Sequence, residues 1–526
     1  MANPGGITPS RHDLTTEHDG DPPLRPTGSL LPANPAITDI DAGKLKRRSV
    51  RASSVVFVSQ GCKGFIRLAS QLVIARLLVP ADFGLIAMIA PILALVQLIG
   101  DFGLGQAIVV RREIRSTEVS SLFWIGLLLN VALALVLALV SPLIARMYGD
   151  PRAVPITLAL AALLPVSGLA TQHAALLNRN LNYIALALLD IAPSTVYLAA
   201  GVATAWRGWG YWSLIAATIA DTLAGVILTW SFSRWRPGWP SYDPNVWSLL
   251  RVSAHIAAYN FAGYATTSFD NILIGVTKGA DALGFYDRGY KLVVQPIGQL
   301  IAPVTRIAVP LLSRLGPADI RYKRAYLDMV HMMLLIGMPG ILIATLMAKP
   351  IVFIFLGRRW LEVAPIFAWL SFGSLASPVY SSTFWLFVTQ NRTEQQIYYV
   401  TIVSIVSVLS FIAGLPWGPT GVAAGAALSF LFVSTPLVCW GATKKSAVVS
   451  MTDLIRALRP FVFAGLVTVG ALEIIKAYLR VSDVTLLGVS LLFAYGTFLA
   501  VLACLPSGIP IVRRAWQLST LLVRRA

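Results

Sequence analysis

The chain has 526 residues, of which 56% are hydrophobic and 13% are charged. Soluble domains carry about 25% charged residues, so a large soluble enzyme is excluded and an integral membrane protein is indicated. The 42 Lys and Arg exceed the 24 Asp and Glu by 18. In a soluble protein this excess would suggest a nucleic-acid partner. In a membrane protein, cations placed in cytoplasmic loops explain it, and we expect no nucleic-acid partner.

The first residues differ in composition from the rest of the chain. Residues 1–43 contain seven prolines among Asp, Thr and Gly, and no apolar run long enough for a signal peptide. Low hydrophobicity with abundant Pro is typical of disorder. We therefore predict that residues 1–52 form a disordered cytoplasmic tail.

Apolar segments of about 20 residues recur from Ser53 onward, and each is long enough to cross a hydrocarbon core of about 30 Å as a helix. Fourteen such segments predict an all-α polytopic membrane protein. The predicted spans are 53–78, 83–110, 118–141, 154–177, 183–205, 210–232, 247–275, 281–312, 326–347, 363–388, 396–415, 420–441, 459–479 and 484–505.

Lys and Arg in the loops predict the orientation, because cytoplasmic loops of membrane proteins carry an excess of them. With the N-terminus inside, the inner segments hold 24 basic residues and the outer loops hold eight. We predict that both termini are cytoplasmic and that the protein lies in a bacterial inner membrane. Lys444 and Lys445 are read as topology charges.

Cofactor and metal chemistry find little support in the sequence. Cys62, Cys439 and Cys504 lie far apart in apolar stretches, which favours free buried thiols. The five His residues have no metal-ligand spacing, and no phosphate-binding loop for a nucleotide is present. We expect no metal, no cofactor and no use of ATP by this chain.

Four pairs of short motifs recur in the same order at a shift of 200–213 residues. The shift corresponds to six spans, an even number, so the two halves share one orientation and form a parallel repeat. The pairs are Pro80–Gly84 with Ala280–Gly284, Pro142 and Gly149 with Pro350 and Gly357, Pro165 and Arg179 with Pro378 and Arg392, and Gly208–Tyr211 with Gly418–Gly421.

The repeat predicts two six-helix lobes followed by two further helices. The predicted boundaries are 53–232 for the first lobe, 233–246 for a cytoplasmic linker, 247–441 for the second lobe, and 442–526 for the last two spans and a basic cytoplasmic C-terminus.

Longer motifs in both halves have a recognisable pattern. The first half contains Val-Ile-Ala-Arg-Leu-Leu-Val-Pro-Ala-Asp-Phe-Gly at 73–84 and Gly-Asp-Phe-Gly-Leu-Gly-Gln-Ala-Ile-Val-Val-Arg at 100–111. The second half contains Phe269–Gly275, Leu283–Tyr286, Lys291 with Pro296, Arg306 with Pro310, and Phe355–Trp360. Over roughly residues 50–440 the chain resembles the polysaccharide-transporter flippases of the multidrug/oligosaccharidyl-lipid/polysaccharide exporter superfamily.

The resemblance implies the two-lobed fold of that superfamily and a transporter rather than an enzyme. The implied substrate is an oligosaccharide repeat unit on polyprenyl pyrophosphate, destined for exopolysaccharide, O-antigen or capsule. Its lipid tail would stay in the bilayer while the head group passes between rocking lobes. Polysaccharide polymerase and glycosyltransferase machinery are the protein partners that this function implies.

Polar side chains recur on single helical faces at membrane depth, where charges usually line a pathway or face a bundle interior. Arg and Lys offset the lost hydration of a pyrophosphate by charge-assisted hydrogen bonds. Like charges one helical turn apart repel, so Lys63 and Arg67 favour an anionic ligand. The predicted site comprises Lys63, Arg67, Lys291 and Arg306 for the pyrophosphate, and Gln60, Gln71, Gln295, Gln299 and Tyr259 for sugar hydroxyls. His255, Thr266 and Asp270 share the face of Tyr259.

Four of the acids within predicted spans bear on this site, namely Asp101, Asp190, Asp221 and Asp270. Asp190 and Asp221 are most simply explained as partners that neutralise cations between helices, and Asp101 also suits a basic neighbour. Asp270 or Asp101 is the candidate site for coupling to an H⁺ or Na⁺ gradient.

Other functions stay open at this point. A peptidoglycan-precursor (lipid II) flippase is a close alternative, whereas a drug exporter for organic cations would favour an acidic cavity. A membrane polysaccharide polymerase or ligase needs a large outer loop, and the longest predicted one, 348–362, is short. A channel would need a repeated pore motif, which the sequence lacks.

Overall fold

The computed structural model describes residues 42–101, 103–110, 114–180, 182–240, 250, 269–317, 319–446, 448–479 and 481–514. These residues fold almost entirely as α-helices. The helices are α1 (Ala42–Leu77), α2 (Pro80–Asp101), α3 (Leu104–Val110), α4 (Ser116–Tyr148), α5 (Ala153–Ala161), α6 (Leu163–Arg179), α7 (Tyr183–Trp206), α8 (Trp212–Ser233), α9 (Phe269–Leu315), α10 (Ile320–Leu346), α11 (Ala348–Phe355), α12 (Val363–Ser374), α13 (Ser377–Thr389), α14 (Thr393–Gly414), α15 (Gly418–Ser429), α16 (Thr435–Lys444), α17 (Met451–Tyr478) and α18 (Asp483–Cys504).

The helices confirm a multi-pass membrane protein. Within the described residues, ten helical segments are long and apolar enough to cross a membrane, or eleven if α12 and α13, which are bent by 41°, form one span. Two of the ten, Phe269–Leu315 and Thr393–Lys444, join consecutive predicted spans. Most of the seventh predicted span, with His255, Tyr259 and Thr266, lies outside the described residues.

Helix α9 contains one sharp break. Gly279 has a φ of 82° and a ψ of −175°, so the last turns of the seventh predicted span end there and the eighth span begins. A positive φ of this kind is readily adopted by glycine because it has no Cβ. The eighth predicted span is therefore a helix that runs from residue 280 to Leu315.

One helix was not predicted. Residues 348–362 are expected to form an outer loop, but Ala348–Phe355 is a helix, followed by a 3₁₀ turn at Arg358–Trp360. Eight residues rise only about 12 Å as a helix, far less than a membrane thickness. Trp360 is buried at the end of this segment.

The predicted repeat has a structural counterpart where the halves meet. We call α1–α8 the first half and α9–α16 the second half. A Cβ on Gly84 would strike the carbonyl oxygen of Ala280, and a Cβ on Gly284 would strike that of Pro80. Pro80 and Ala280 occupy the same position in the repeat, so the contact is reciprocal, as a two-fold relation between the halves requires.

A second motif pair has matching turns, whereas the paired arginines of a third bond to carbonyls at positions that the repeat does not relate. Gly149 and Gly357 have φ values of 67° and 95° and each follows the end of a helix. Arg179 donates to the carbonyl oxygen of Ile108 at 2.9 Å. Arg392 donates to the carbonyls of Gly441 and Ala442, both at 2.8 Å.

The halves are joined at one end. Following the predicted orientation, we call the end that holds Gly279 and Gly357 the outer end. Among the described residues, hydrogen bonds between the halves run from Gln71 to Gln295, from Arg76 to the carbonyls of Ile354 and Phe355, and from the Trp360 indole to the carbonyl of Ala75.

Apolar packing closes the same end. The rings of Phe83 and Trp360 lie 5.4 Å apart in an edge-to-face arrangement. Ile74 and Leu214 of the first half share a buried cluster with Val352 and Trp360 of the second. The outer end is therefore sealed by both polar and apolar contacts.

The last two helices pack on the second half. Phe461 and Phe498 share a buried cluster with Leu334 of α10. An ion pair of 2.7 Å joins Lys323 to Asp453 at the inner ends of these helices.

Candidate functional site

Helix α1 turns its predicted polar face toward α7 and α8. Lys63 Nζ lies 2.9 Å from Asp190 Oδ1. The other carboxylate oxygen of Asp190 accepts hydrogen bonds from Gln60 Nε2 at 2.7 Å and from Ser59 Oγ at 3.3 Å. Asp190 thus has three side-chain donors, all from α1.

One turn further along α1, Arg67 has its own partner. A guanidinium nitrogen lies 3.2 Å from a carboxylate oxygen of Asp221 on α8. The same guanidinium lies 5.3 Å from the ring centroid of Tyr197 on α7, a favourable cation–π distance.

These pairs change the argument made from sequence. The prediction that Asp190 and Asp221 neutralise cations between helices is confirmed. The inference that the repulsion between Lys63 and Arg67 needs an anionic ligand is wrong, because each cation already faces a carboxylate. Sequence spacing shows like charges on one helix but not the opposite charges on its neighbours.

Both pairs are only partly buried. The side chains of Lys63 and Asp190 are 38% and 18% exposed, and those of Arg67 and Asp221 are 41% and 24% exposed. Partly exposed ion pairs contribute about 0–1 kcal/mol, so we expect these two pairs to add little to stability.

The second half holds a different cluster. Asp287 lies 2.5 Å from Arg288 and 2.8 Å from Lys291, and the side chains of Asp287 and Arg288 are only 6% and 7% exposed. Arg288 also lies 4.2 Å above the ring of Phe83 in the first half. Sequence reasoning missed Asp287, although its spacing of four from Lys291 is a signal for a helical ion pair.

The hydrogen bond from Gln71 to Gln295 is a common reference point for heights along the two helices that it joins. It is 2.9 Å long and joins α1 to α9, which run in opposite directions. With a rise of 1.5 Å per residue, Arg67 and Lys63 lie about 6 and 12 Å inward of this bond. Lys291 lies about 6 Å outward of it.

Arg306 and Gln299 lie on the inner side of the same bond. Arg306 is about 16 Å inward of Gln295 along the helix and is exposed, with no hydrogen-bond or ion-pair partner among the described residues. Gln299 is exposed and contacts α1 at Gly64. Lys63, Arg67 and Arg306 thus all lie inward of the Gln71–Gln295 bond along their helices. Lys291 lies on the other side of it.

Asp270 and Asp101 have different surroundings. Asp270 is buried and accepts hydrogen bonds from the Tyr286 hydroxyl and the Asn271 amide, both at 2.8 Å. Asp101 is exposed at the last residue of α2 and has no hydrogen-bond or ion-pair partner within the described ranges. Neither lies beside a basic side chain in this set of contacts.

Metal and thiol chemistry are not prominent. Within the described part of the chain, no group of three or more His, Cys, Asp or Glu side chains is placed to hold a metal ion. All three cysteines are free, as predicted. Cys439 is buried, but Cys62 and Cys504 are exposed. The prediction of burial is wrong for those two because each lies on a side of its helix that no other described helix covers.

Two pseudo-symmetric helical halves, joined at one end and carrying charged side chains between the helices, define a membrane transporter fold. The profile of the family described as "Polysaccharide biosynthesis protein" matches residues 73–365. The chain belongs to this family.

Named relatives cover most of the chain. The lipopolysaccharide biosynthesis protein WzxC of Escherichia coli (strain K12) is 23% identical over 372 residues, which are 70% of this chain and 74% of WzxC. The teichuronic acid biosynthesis protein TuaB of Bacillus subtilis (strain 168) is 23% identical, over 61% of this chain and 67% of TuaB. The succinoglycan biosynthesis transport protein ExoT of Rhizobium meliloti (strain 1021) is 23% identical, over 58% of this chain and 60% of ExoT.

Solved structures confirm the predicted superfamily fold. The lipid II flippase MurJ in an inward closed conformation matches with a TM-score of 0.69 at 14% identity, over 86% of this chain and 98% of MurJ. An inward-facing multidrug resistance MATE family transporter of the MOP superfamily matches with a TM-score of 0.55 at 14% identity, over 73% of this chain and 96% of that one.

Proposed function

We propose that the protein is a flippase that moves oligosaccharides linked to polyprenyl diphosphate across a bacterial inner membrane. The family, the relatives named for polysaccharide biosynthesis and transport, and the two-lobed transporter fold support this function. The product would serve the synthesis of exopolysaccharide, O-antigen or capsule. The chain acts by alternating access rather than as an enzyme.

One observation carries the assignment of the site. Lys63 and Arg67 from the first half and Arg306 from the second lie on the inner side of the Gln71–Gln295 bond, whereas the described hydrogen bonds between the halves run from this bond outward. Such a site receives an anion from the cytoplasmic side. A diphosphate drawn to membrane depth needs cationic donors to offset its lost hydration.

The positions suggest an order of contact. Arg306 is exposed and lies furthest inward, so it meets the diphosphate first, and Arg67 and Lys63 receive it next. Gln60 and Gln299 bind sugar hydroxyls beside them. Lys291 and the Gln71–Gln295 pair contact the substrate after the outer end opens. Tyr259 is assigned to the glycan from the sequence alone.

Both termini are proposed to be cytoplasmic, in accord with the distribution of basic residues. Asp270 is the preferred site for coupling to an H⁺ or Na⁺ gradient, because it is a buried carboxylate at the joined end with no cation beside it among the described contacts. Asp101 is the second candidate for coupling. Polysaccharide polymerase and glycosyltransferases are the proposed protein partners.

Complementation tests the function and the site. A bacterial host that lacks its own oligosaccharide flippase should regain surface polysaccharide when it produces this protein. Arg67→Ala and Arg306→Ala should reduce recovery at least tenfold at equal protein level. Recovery equal to wild type with both variants would remove the site assignment.

A second host separates this function from the lipid II alternative. A strain depleted of its peptidoglycan-precursor flippase should not grow when it produces the protein from the same plasmid. Growth there, together with no recovery of polysaccharide in the first host, would favour lipid II as the substrate.

A further inference from the structure

Two carboxylates lie within the proposed site and balance the charges of Lys63 and Arg67. Asp190 binds Lys63 at 2.9 Å and Asp221 binds Arg67 at 3.2 Å. Two cations and two anions attract an incoming diphosphate weakly, since their fields largely cancel. A diphosphate that binds there has to separate the cations from these carboxylates.

The structure makes that separation inexpensive. All four side chains are partly exposed, and partly exposed pairs contribute only about 0.2–1 kcal/mol. Asp190 keeps its hydrogen bonds from Gln60 and Ser59 when Lys63 leaves. A freed carboxylate at this position therefore remains solvated by donors and by water.

Asp287 of the second half cannot separate from its cations as easily. Asp287 binds Arg288 and Lys291 together, and its side chain is 6% exposed. Removing a partner from a buried pair leaves an uncompensated charge and is strongly unfavourable. Exchange of a carboxylate for a phosphate is thus feasible in the first half and disfavoured at Asp287.

We infer that Asp190 and Asp221 are exchangeable counter-ions: each holds its cation in the substrate-free protein, and one phosphate of the diphosphate replaces each when the lipid-linked oligosaccharide binds. This rests on the proposed function. Lys63 and Arg67 lie about 6 Å apart along α1, a spacing suited to two linked phosphates. When the carboxylates return to their cations, they release the substrate.

Binding to the full-length protein in lipid nanodiscs tests the exchange. The ligands are undecaprenyl diphosphate and undecaprenyl monophosphate. Asp190→Asn and Asp221→Asn should each bind the diphosphate about 1.4- to fivefold more tightly, because a competing anion worth about 0.2–1 kcal/mol is gone. The double variant should gain more than either single variant with the diphosphate. With the monophosphate it should gain no more than the better single variant.

Asp319→Asn is the matched control. Asp319 also pairs with a guanidinium, that of Arg321 at 2.7 Å, but it lies in a loop at the inner end. The hydrogen bonds from Arg321 hold the pKa of the Asp319 carboxyl below its usual value, so the control also removes a charged acid. Its affinity for either lipid should equal that of the wild type.

The outcomes distinguish the counter-ion role of the carboxylates from the proposed binding site itself. If Lys63→Ala and Arg67→Ala weaken binding but both Asp→Asn variants bind equally or more weakly than wild type, the counter-ion role is overturned and the site stands. If Lys63→Ala and Arg67→Ala bind as wild type, the proposed site itself fails.

Two further readouts keep the test independent of folding. In the wild-type protein, added undecaprenyl diphosphate should change the carboxylate bands of an infrared difference spectrum, and an unchanged spectrum contradicts exchange. In transport assays, Asp190→Asn should lower both KM and the maximal rate, because release slows. Asp190→Glu keeps the charge and should restore both values; failure to do so indicates a merely structural role.

Discussion

The two halves of the chain are alike where they touch and unlike where they carry charge. At the outer end, Gly84 and Gly284 make the same close contact with the opposite backbone. Between the described helices, the first half has two separate, partly exposed ion pairs, and the second has a buried cluster around Asp287. A repeat can therefore preserve the contact that both halves share while its two copies differ in how their charged side chains are paired and buried.

The largest effect should come from the buried cluster. Asp287→Asn leaves Arg288 buried without its carboxylate and should lower the free energy of unfolding by about 3–5 kcal/mol. Asp221→Asn should lower it by less than about 1 kcal/mol. Thermal unfolding of the purified proteins in one detergent measures both. Equal losses would remove the distinction between the halves.

The glycine contact should respond equally in both halves. Gly84→Ala and Gly284→Ala each place a methyl group against an opposing carbonyl oxygen, which should cost about 1–3 kcal/mol and push the outer end apart. A single cysteine at the buried Ala75 position, in a background without native cysteines, should then react faster with a membrane-impermeant maleimide. Gly61→Ala, where a Cβ meets nothing within 4 Å, is the control. A response from only one of the two glycines would contradict the reciprocal contact.

The indole contact should have a smaller effect. Trp360→Phe keeps an aromatic ring against Phe83 but removes the hydrogen bond to the carbonyl of Ala75, which is 2.8 Å long. We expect a loss of about 1 kcal/mol and a modest rise in the same maleimide reaction. Trp417→Phe, at an exposed tryptophan, should leave both measurements unchanged.

The smallest effect is expected at the inner surface. Lys445→Ala should be nearly silent in complementation, because its charge acts in topology. Lys444 lies 4.3 Å from the ring of Trp440, so Lys444→Ala should cost about 0.5–1 kcal/mol at most. A tenfold loss of polysaccharide with either variant would show that charge at this surface takes part in transport.

Hydropathy and periodicity predicted most of the spans because a bilayer imposes length and composition on each helix. The first predicted span, on α1, is not among the described segments that are long and apolar enough to cross a membrane. They missed α11 because eight residues are too few to give a membrane signal. Face patterning predicted the stripe of Lys63 and Arg67, but the partners of these cations come from α7 and α8, more than 120 residues away. Sequence spacing along one helix cannot show which neighbour it faces, so the charges were predicted and their pairing was not.

The neutral cluster in the first half has a consequence for how voltage acts on the cycle. With Lys63 and Arg67 balanced by Asp190 and Asp221, these four groups carry no net charge through the membrane field when the empty protein reorients. A bound diphosphate adds negative charge, and each elementary charge that crosses the membrane contributes about 2.3 kcal/mol per 100 mV. In a cell with a negative interior, the potential therefore favours the loaded outward step and leaves the return of this cluster unaffected.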